Sequence, residues 1–158
     1  MKRFLLIACM AVIAAVSCKK QEYVVYDNPY VYVVWADDAT LSESSTILSK
    51  ANGAVRTYNV CLSSKRRDAP LSINYEITHG NGLEHGVDFT VEAESGSLTF
   101  EPGVYMATLD IKFLRHTVSK DTDNTLTIRL TGASVENMTL GLPGSVPKNA
   151  SHTIKKVN

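Results

Sequence analysis

The chain has 158 residues, room for one domain of ordinary size. Lys+Arg and Asp+Glu both number 16, so the formal net charge is zero and the basic excess that marks a nucleic-acid surface is missing. Apolar residues make up 44% of the sequence, enough for a core that needs neither metal nor disulfides.

Met1-Lys2-Arg3 is a positively charged start, and Phe4 to Val16 is an unbroken run of 13 apolar residues. A bilayer-spanning helix takes about 20 residues. The shorter run fits the apolar segment of a cleaved secretion signal. It ends at Ala15-Val16-Ser17-Cys18, where small residues lead into a cysteine. This resembles a bacterial lipobox, and predicts cleavage before Cys18 and acylation of its sulfur. Two or three acyl chains hold a protein to a membrane far better than one. Residues 1–17 are therefore read as a lipoprotein signal peptide, 18–29 as the lipidated Cys18 with a polar tether, and 30–158 as the folded domain. Without Lys2 and Arg3 the basic count is 14 against 16 acids, so the mature domain is weakly acidic. Cys9 lies in the signal and Cys18 carries the lipid. Cys61 then stands alone, with no disulfide open to it and no base nearby in sequence, and reads as a small apolar filler.

The domain opens with Tyr30 to Ala36, β-branched and aromatic throughout, which predicts a strand with two apolar faces. Leu41 to Gly53 is Ser-rich and weakly patterned, and Asn52-Gly53 is a turn signal. Val55 to Leu62 alternates. Ser63 to Pro70 reads as a solvated loop carrying Lys65, Arg66 and Arg67. In Leu71 to Ile77 the residues Leu71, Ile73, Tyr75 and Ile77 point one way and Ser72, Asn74 and Glu76 the other, the pattern of a half-buried strand. A Gly-rich loop from His79 to Gly86 follows, then short strands at 87–91 and 97–101.

Glu101-Pro102-Gly103-Val104 fits a type II turn. Pro102 fixes φ near −65° and Gly103 accepts the positive φ of the next position. The expectation is a hairpin between the 97–101 and 104–114 strands. Gly86 before Val87 suggests a second special backbone angle, and Asp88 can accept N–H groups of its own loop. Further alternating strands are predicted at 107–113, 125–131 and 151–157, with 132–147 as loop. No window of helical length shows a 3.6-residue period. Seven to eight short strands at this spacing predict an all-β, immunoglobulin-like antiparallel β-sandwich.

The residues Gly86-x-Asp88-Phe89, then Leu98-Thr99-Phe100-x-Pro102-Gly103, then the alternating strands 107–113 and 126–130, resemble the Calx-beta domain. The alternating strand 71–77 with its Gly-rich exit adds to the resemblance, which covers roughly residues 40–157. The same pattern is similar to a group of small Bacteroidota lipoproteins with one immunoglobulin-like domain, often encoded near glycan-import systems. The resemblance implies a sandwich whose acidic residues bind Ca²⁺ at one end, as in sodium–calcium exchangers. It would make Glu43, Asp88, Asp121 and Asp123 the candidate ligands here. Ca²⁺ takes six to eight oxygens. In this chain Arg115-His116-Thr117 stands where the first acids of one loop would be, and Lys155-Lys156-Val157 replaces the acidic run that ends the domain. Lysines at a cation site repel the ion, so the chain is expected to carry no metal and no cofactor.

Catalytic patterns are weak. His79-Gly80-Asn81-Gly82 is a turn without the Gly-x-Ser-x-Gly elbow that a lipase loop would serve. His79, Glu84 and His85 lack a recognised metal spacing. Glu92 and Glu94 sit on one strand with no cleft implied between them. The aromatics are denser than the rest: Tyr23, Tyr26, Tyr30, Tyr32 and Trp35 fall within 13 residues. Such rings suit stacking on sugars or on a protein partner, which makes Tyr30, Tyr32 and Trp35 the candidate ligand-binding residues, against the plain alternative that they pack the sheet. The resulting expectation is a non-enzymatic lipoprotein of the bacterial outer membrane, possible partners being a polysaccharide or an outer-membrane import complex. The alternative is a structural or adhesive surface protein that binds other proteins, for instance by strand addition at a sheet edge; the third reading, ranked last, is a calcium-binding module.

Overall fold

The computed structural model describes residues 28–38, 40–50 and 53–158. The signal peptide, Cys18, the tether up to residue 27 with Tyr23 and Tyr26, and Asn52 lie outside the described residues. The ten strands are β1 (Tyr30–Trp35), β2 (Ser44–Leu48), β3 (Ala54–Ser63), β4 (Leu71–His79), β5 (Phe89–Val91), β6 (Ser95–Phe100), β7 (Met106–Phe113), β8 (Thr125–Ala133), β9 (Thr139–Leu140) and β10 (Ser151–Val157). They form two five-stranded sheets, in the orders β5-β7-β3-β1-β9 and β2-β10-β8-β4-β6.

The strands form where side chains alternate. In β7 Leu109, Ile111 and Phe113 are buried while Thr108, Asp110 and Lys112 are exposed. In β8 Leu126, Ile128 and Leu130 are buried. β4 turns Leu71, Ile73, Tyr75 and Ile77 inward. Together with Val31, Val33, Tyr58, Val60, Phe89, Phe100 and Ile154 these side chains make one core between the sheets. Each contributes about 1.5–3 kcal/mol by leaving water.

Three expectations change. Among the described residues ten strands are present where seven to eight were expected, because β2 and β9 are short edge strands. The sandwich is antiparallel except at those edges: β2 pairs in parallel with β10, and β9 with β1. The turn at Glu101–Val104 has the predicted form, with Val104 N–H donating to Glu101 O at 2.9 Å and Gly103 at φ 83°. It does not close a hairpin. β6 pairs with β4 in one sheet and β7 pairs with β3 in the other, so the turn carries the chain across the sandwich.

Candidate functional site

Asp88 stands at one end of the sandwich, just before β5. Gly86 takes φ 83°, and its N–H donates to Phe89 O. The Val87 and Asp88 N–H groups both donate to Glu84 O, and Glu84 N–H donates to Asp88 Oδ2 at 3.0 Å. The loop is therefore folded around its own carboxylate, as the sequence suggests. The carboxylate is also almost fully buried, and that requires a partner. The partner is Lys156. On β10 the residues His152, Ile154 and Lys156 share the inward phase, while Lys155 faces solvent. Lys156 Nζ lies 2.7 Å from Asp88 Oδ1 and donates to Leu114 O at 3.0 Å; both side chains are 3% exposed or less. His116 Nδ1 approaches the same Oδ1 at 3.0 Å from the surface side. Burial by itself would raise the Asp88 pKa. Hydrogen bonds from Lys156, His116 and the Glu84 N–H outweigh it and hold the carboxyl below its ordinary value.

The other acids are committed elsewhere. Glu43 Oε1 accepts the Asn149 N–H at 2.7 Å, and Glu43 lies near the start of β10, where its carbonyl accepts Thr153 N–H. Lys156 is three strand steps further along, roughly 10 Å away. Asp123 Oδ1 accepts both the N–H and the hydroxyl of Thr125, and Asp121 is exposed. The Gly-rich loop packs against this second loop. A Cβ on Gly80 would come within 2.3 Å of the Asp123 carbonyl, so glycine is required there by close approach. Gly80 and Gly82 N–H donate to Thr125 O and Asp123 O. His79 and His85 both place their rings edge-on to Phe89, at centroid distances of 5.4 and 5.5 Å. Among the described residues no three His, Cys, Asp or Glu side chains converge on one point.

The three candidate aromatics do not share a surface. Trp35 pairs with the buried Tyr58 across β1 and β3, faces the core side, and carries the Arg56 guanidinium over its ring at 4.2 Å. Tyr30 and Tyr32 point to the outer face of their sheet, half-buried, with ring centroids 6.1 Å apart. Beside them is a cavity of about 530 Å³ whose wall includes Tyr30, Ser63, Arg67, Glu136 and Met138.

No family model matches the chain, and no curated protein matches it either. Solved structures do. The chain is similar to the apo-form Calx CBD1 domain at 21% identity, covering 84% of this chain and 100% of that one, with a TM-score of 0.55. It is similar to CBD12 from CALX1.2 at 20% identity, covering 81% of this chain and 43% of that one, with a TM-score of 0.52. The fold is the Calx-beta sandwich.

The residues present do not fit the Ca²⁺ site that the Calx-beta resemblance implies. Of the four candidate ligands, Asp88 is neutralised by an internal ammonium, Glu43 and Asp123 cap backbone groups, and Asp121 belongs to no cluster. Ca²⁺ takes six to eight oxygens, most of them carboxylate, and among the described residues no three acids gather to begin such a set. Lys156 is the residue whose role the sequence reading missed. As a charge alone it does no more than repel cations. Its phase with Ile154 was the available signal: a lysine on the buried side of a strand must find an acid.

Proposed function

We propose that this chain is a non-enzymatic accessory binding module of the bacterial cell envelope, held at the outer membrane by a lipid on Cys18, and that its sandwich captures glycan. The observation that carries this reading is the outward-facing Tyr30–Tyr32 pair beside the 530 Å³ cavity. Tyrosine presents an apolar ring face to the C–H face of a sugar and a hydroxyl to its oxygens. Arg67, Ser63 and Glu136 in the same wall supply the few polar groups that orient such a ligand. Trp35 drops out of the ligand set, because its ring belongs to the core and to Arg56.

The test is a polysaccharide affinity series with the full chain in non-ionic detergent. Retention on at least one polysaccharide is expected, falling at least tenfold in Tyr30→Ala and Tyr32→Ala while the melting temperature holds. Retention on none of them, or retention that both variants keep, refutes the proposal. Association with an outer-membrane nutrient-import complex is the companion reading, and a pull-down from envelope extract tests it.

A further inference from the structure

The charged groups in the wall of the Tyr30 cavity are Lys65, Arg67 and Glu136. One acid cannot balance two bases, so the wall carries an excess of positive charge. Arg67 is the residue that this excess leaves unanswered. It is half-buried, and a guanidinium keeps its proton at any ordinary pH. Its Nη2 reaches Ala69 O and Phe100 O only at 3.4 and 3.5 Å, longer than a good N–H···O bond. Its Nη1, closed off from water, has no acceptor. Asp68 is its neighbour in sequence and Glu101 shares a second crevice with it, yet among the described residues Arg67 forms an ion pair with neither. A charge drawn partly out of water without a counter-charge is costly. The fold leaves that cost at the wall of a cavity, where a ligand can relieve it.

The strands explain why ring and guanidinium border one space. Tyr30 is the cross-strand partner of Ser63, the last residue of β3. The chain leaves Ser63 directly into the loop that carries Arg67, so the loop folds back beside the Tyr30 ring. A pyranose stacked by its C–H face on tyrosine turns the substituents of its ring edge toward the walls. In a uronic acid one of those substituents is a carboxylate, the group that the planar guanidinium fork matches best.

We propose that the Tyr30 cavity selects acidic glycan, a chain of uronic acid residues, with Tyr30 stacking on the sugar and Arg67 taking its carboxylate. This rests on the reading of the cavity as a glycan site and adds the substrate class. A neutral sugar leaves Arg67 unpaired and binds more weakly. An amino sugar brings a further positive charge to a wall that already has an excess.

The probes are polygalacturonate, alginate and hyaluronate, each immobilised beside its methyl ester, which keeps the backbone and removes the charge. The full chain is applied in non-ionic detergent at low and at high salt. At low salt at least one acid form should hold the chain at least tenfold more tightly than its ester, and high salt should narrow the gap. Arg67→Gln should abolish the gap and leave binding of the ester where it was. Glu136→Gln, at an exposed position, should strengthen binding of the acid form at least twofold. Tyr30→Ala should lose acid and ester alike. Esters or neutral polysaccharides held as tightly as the acids overturn the proposal and leave the glycan reading standing, whereas retention of no polysaccharide at all defeats both. A gap that survives Arg67→Gln, or acid binding that survives Tyr30→Ala, places the anion outside this cavity and overturns the proposal as well. So does Glu136→Gln with unchanged or weakened binding.

Discussion

Replacing Lys156 with Met should be among the costlier single changes in this domain. The Lys156 Nζ and Asp88 Oδ1 atoms are 2.7 Å apart, with side-chain exposures of 1% and 3%. At an effective dielectric of about 20 their attraction is about 6 kcal/mol before desolvation is counted. Desolvation offsets much of that, but the offset does not return when only one partner is removed: the Asp88 carboxylate stays buried with its charge uncompensated. Breaking such a pair costs about 3–5 kcal/mol. Unfolding entropy near 2.1 cal/mol/K per residue over about 130 residues is about 0.27 kcal/mol/K, so the melting temperature should drop by roughly 11–18 °C. Asp88→Asn alone should cost a similar amount, because it strands the ammonium. The double variant Asp88→Asn/Lys156→Met removes both charges and should lie much closer to the parent. Calorimetry of the four proteins at pH 7 closes the cycle. The Asp88 pKa is lowered in the fold, so its contribution is complete at pH 7 and fades only as pH falls below the ordinary Asp value of about 3.9. Single variants costing under about 1 kcal/mol, the worth of an exposed pair, would refute the reasoning. So would a double variant whose loss is the sum of the singles.

Two further outcomes follow from the same packing. Burial holds the His152 pKa below its ordinary value; its Nε2 meets Ser45 Oγ at 3.0 Å and its ring lies 5.0 Å from that of Tyr58. The unfolded chain takes up that proton first, so stability should fall as pH drops below about 6.5, by up to about 1.4 kcal/mol per pH unit; His152→Gln should flatten this slope, and parallel urea-midpoint profiles between pH 7.5 and 5.5 would refute the assignment. Ca²⁺ at millimolar concentration should leave the melting temperature where chelator leaves it, whereas an ion held at a hundredfold its dissociation constant adds about 2.7 kcal/mol, so a clear upward shift would mean that the acids gather after all.

The fold was legible wherever one face of a strand is buried and the other wet. Leu71 to Ile77, Leu109 to Phe113 and Leu126 to Leu130 carry that alternation in full, and each is a strand. β2 escaped because only Ile47 and no other apolar residue of Ser44–Leu48 is buried: an edge strand with polar Ser44, Ser45 and Thr46 has no period to read. The Pro102-Gly103 turn was read correctly as local geometry and wrongly as a hairpin, since the same turn serves either one sheet or a crossing between two. Which sheet β6 joins is decided by its register with β4, from Leu71 opposite Phe100 onward, a long-range fact that no local pattern holds. The candidate site divides in the same way. The self-bonding of Asp88 in its loop was visible because it is local. Its pairing with Lys156, 68 residues away, was open to inference only by asking which side of β10 the lysine faces.

That pairing bears on where this sandwich can be sensitive to its surroundings. An ion bound between carboxylates comes and goes with its concentration, and so can order or release the loops it bridges. An ammonium on a covalent stem cannot leave. With Lys156 drawing Asp88 and the Leu114 carbonyl together, the loop before β5 and the strand end of β7 are tied to β10 at every ion concentration. Tyr30, at the other end of β1 from Trp35, is opposite Ser63 and about 17 Å along the strand from the Trp35–Tyr58 pair. A ligand at the Tyr30 cavity would thus bind at the end of the sandwich away from this tie. The fixed ammonium therefore removes ion concentration as a control over the order of these loops, which is the physical difference between this end of the sandwich and one closed by a bound cation.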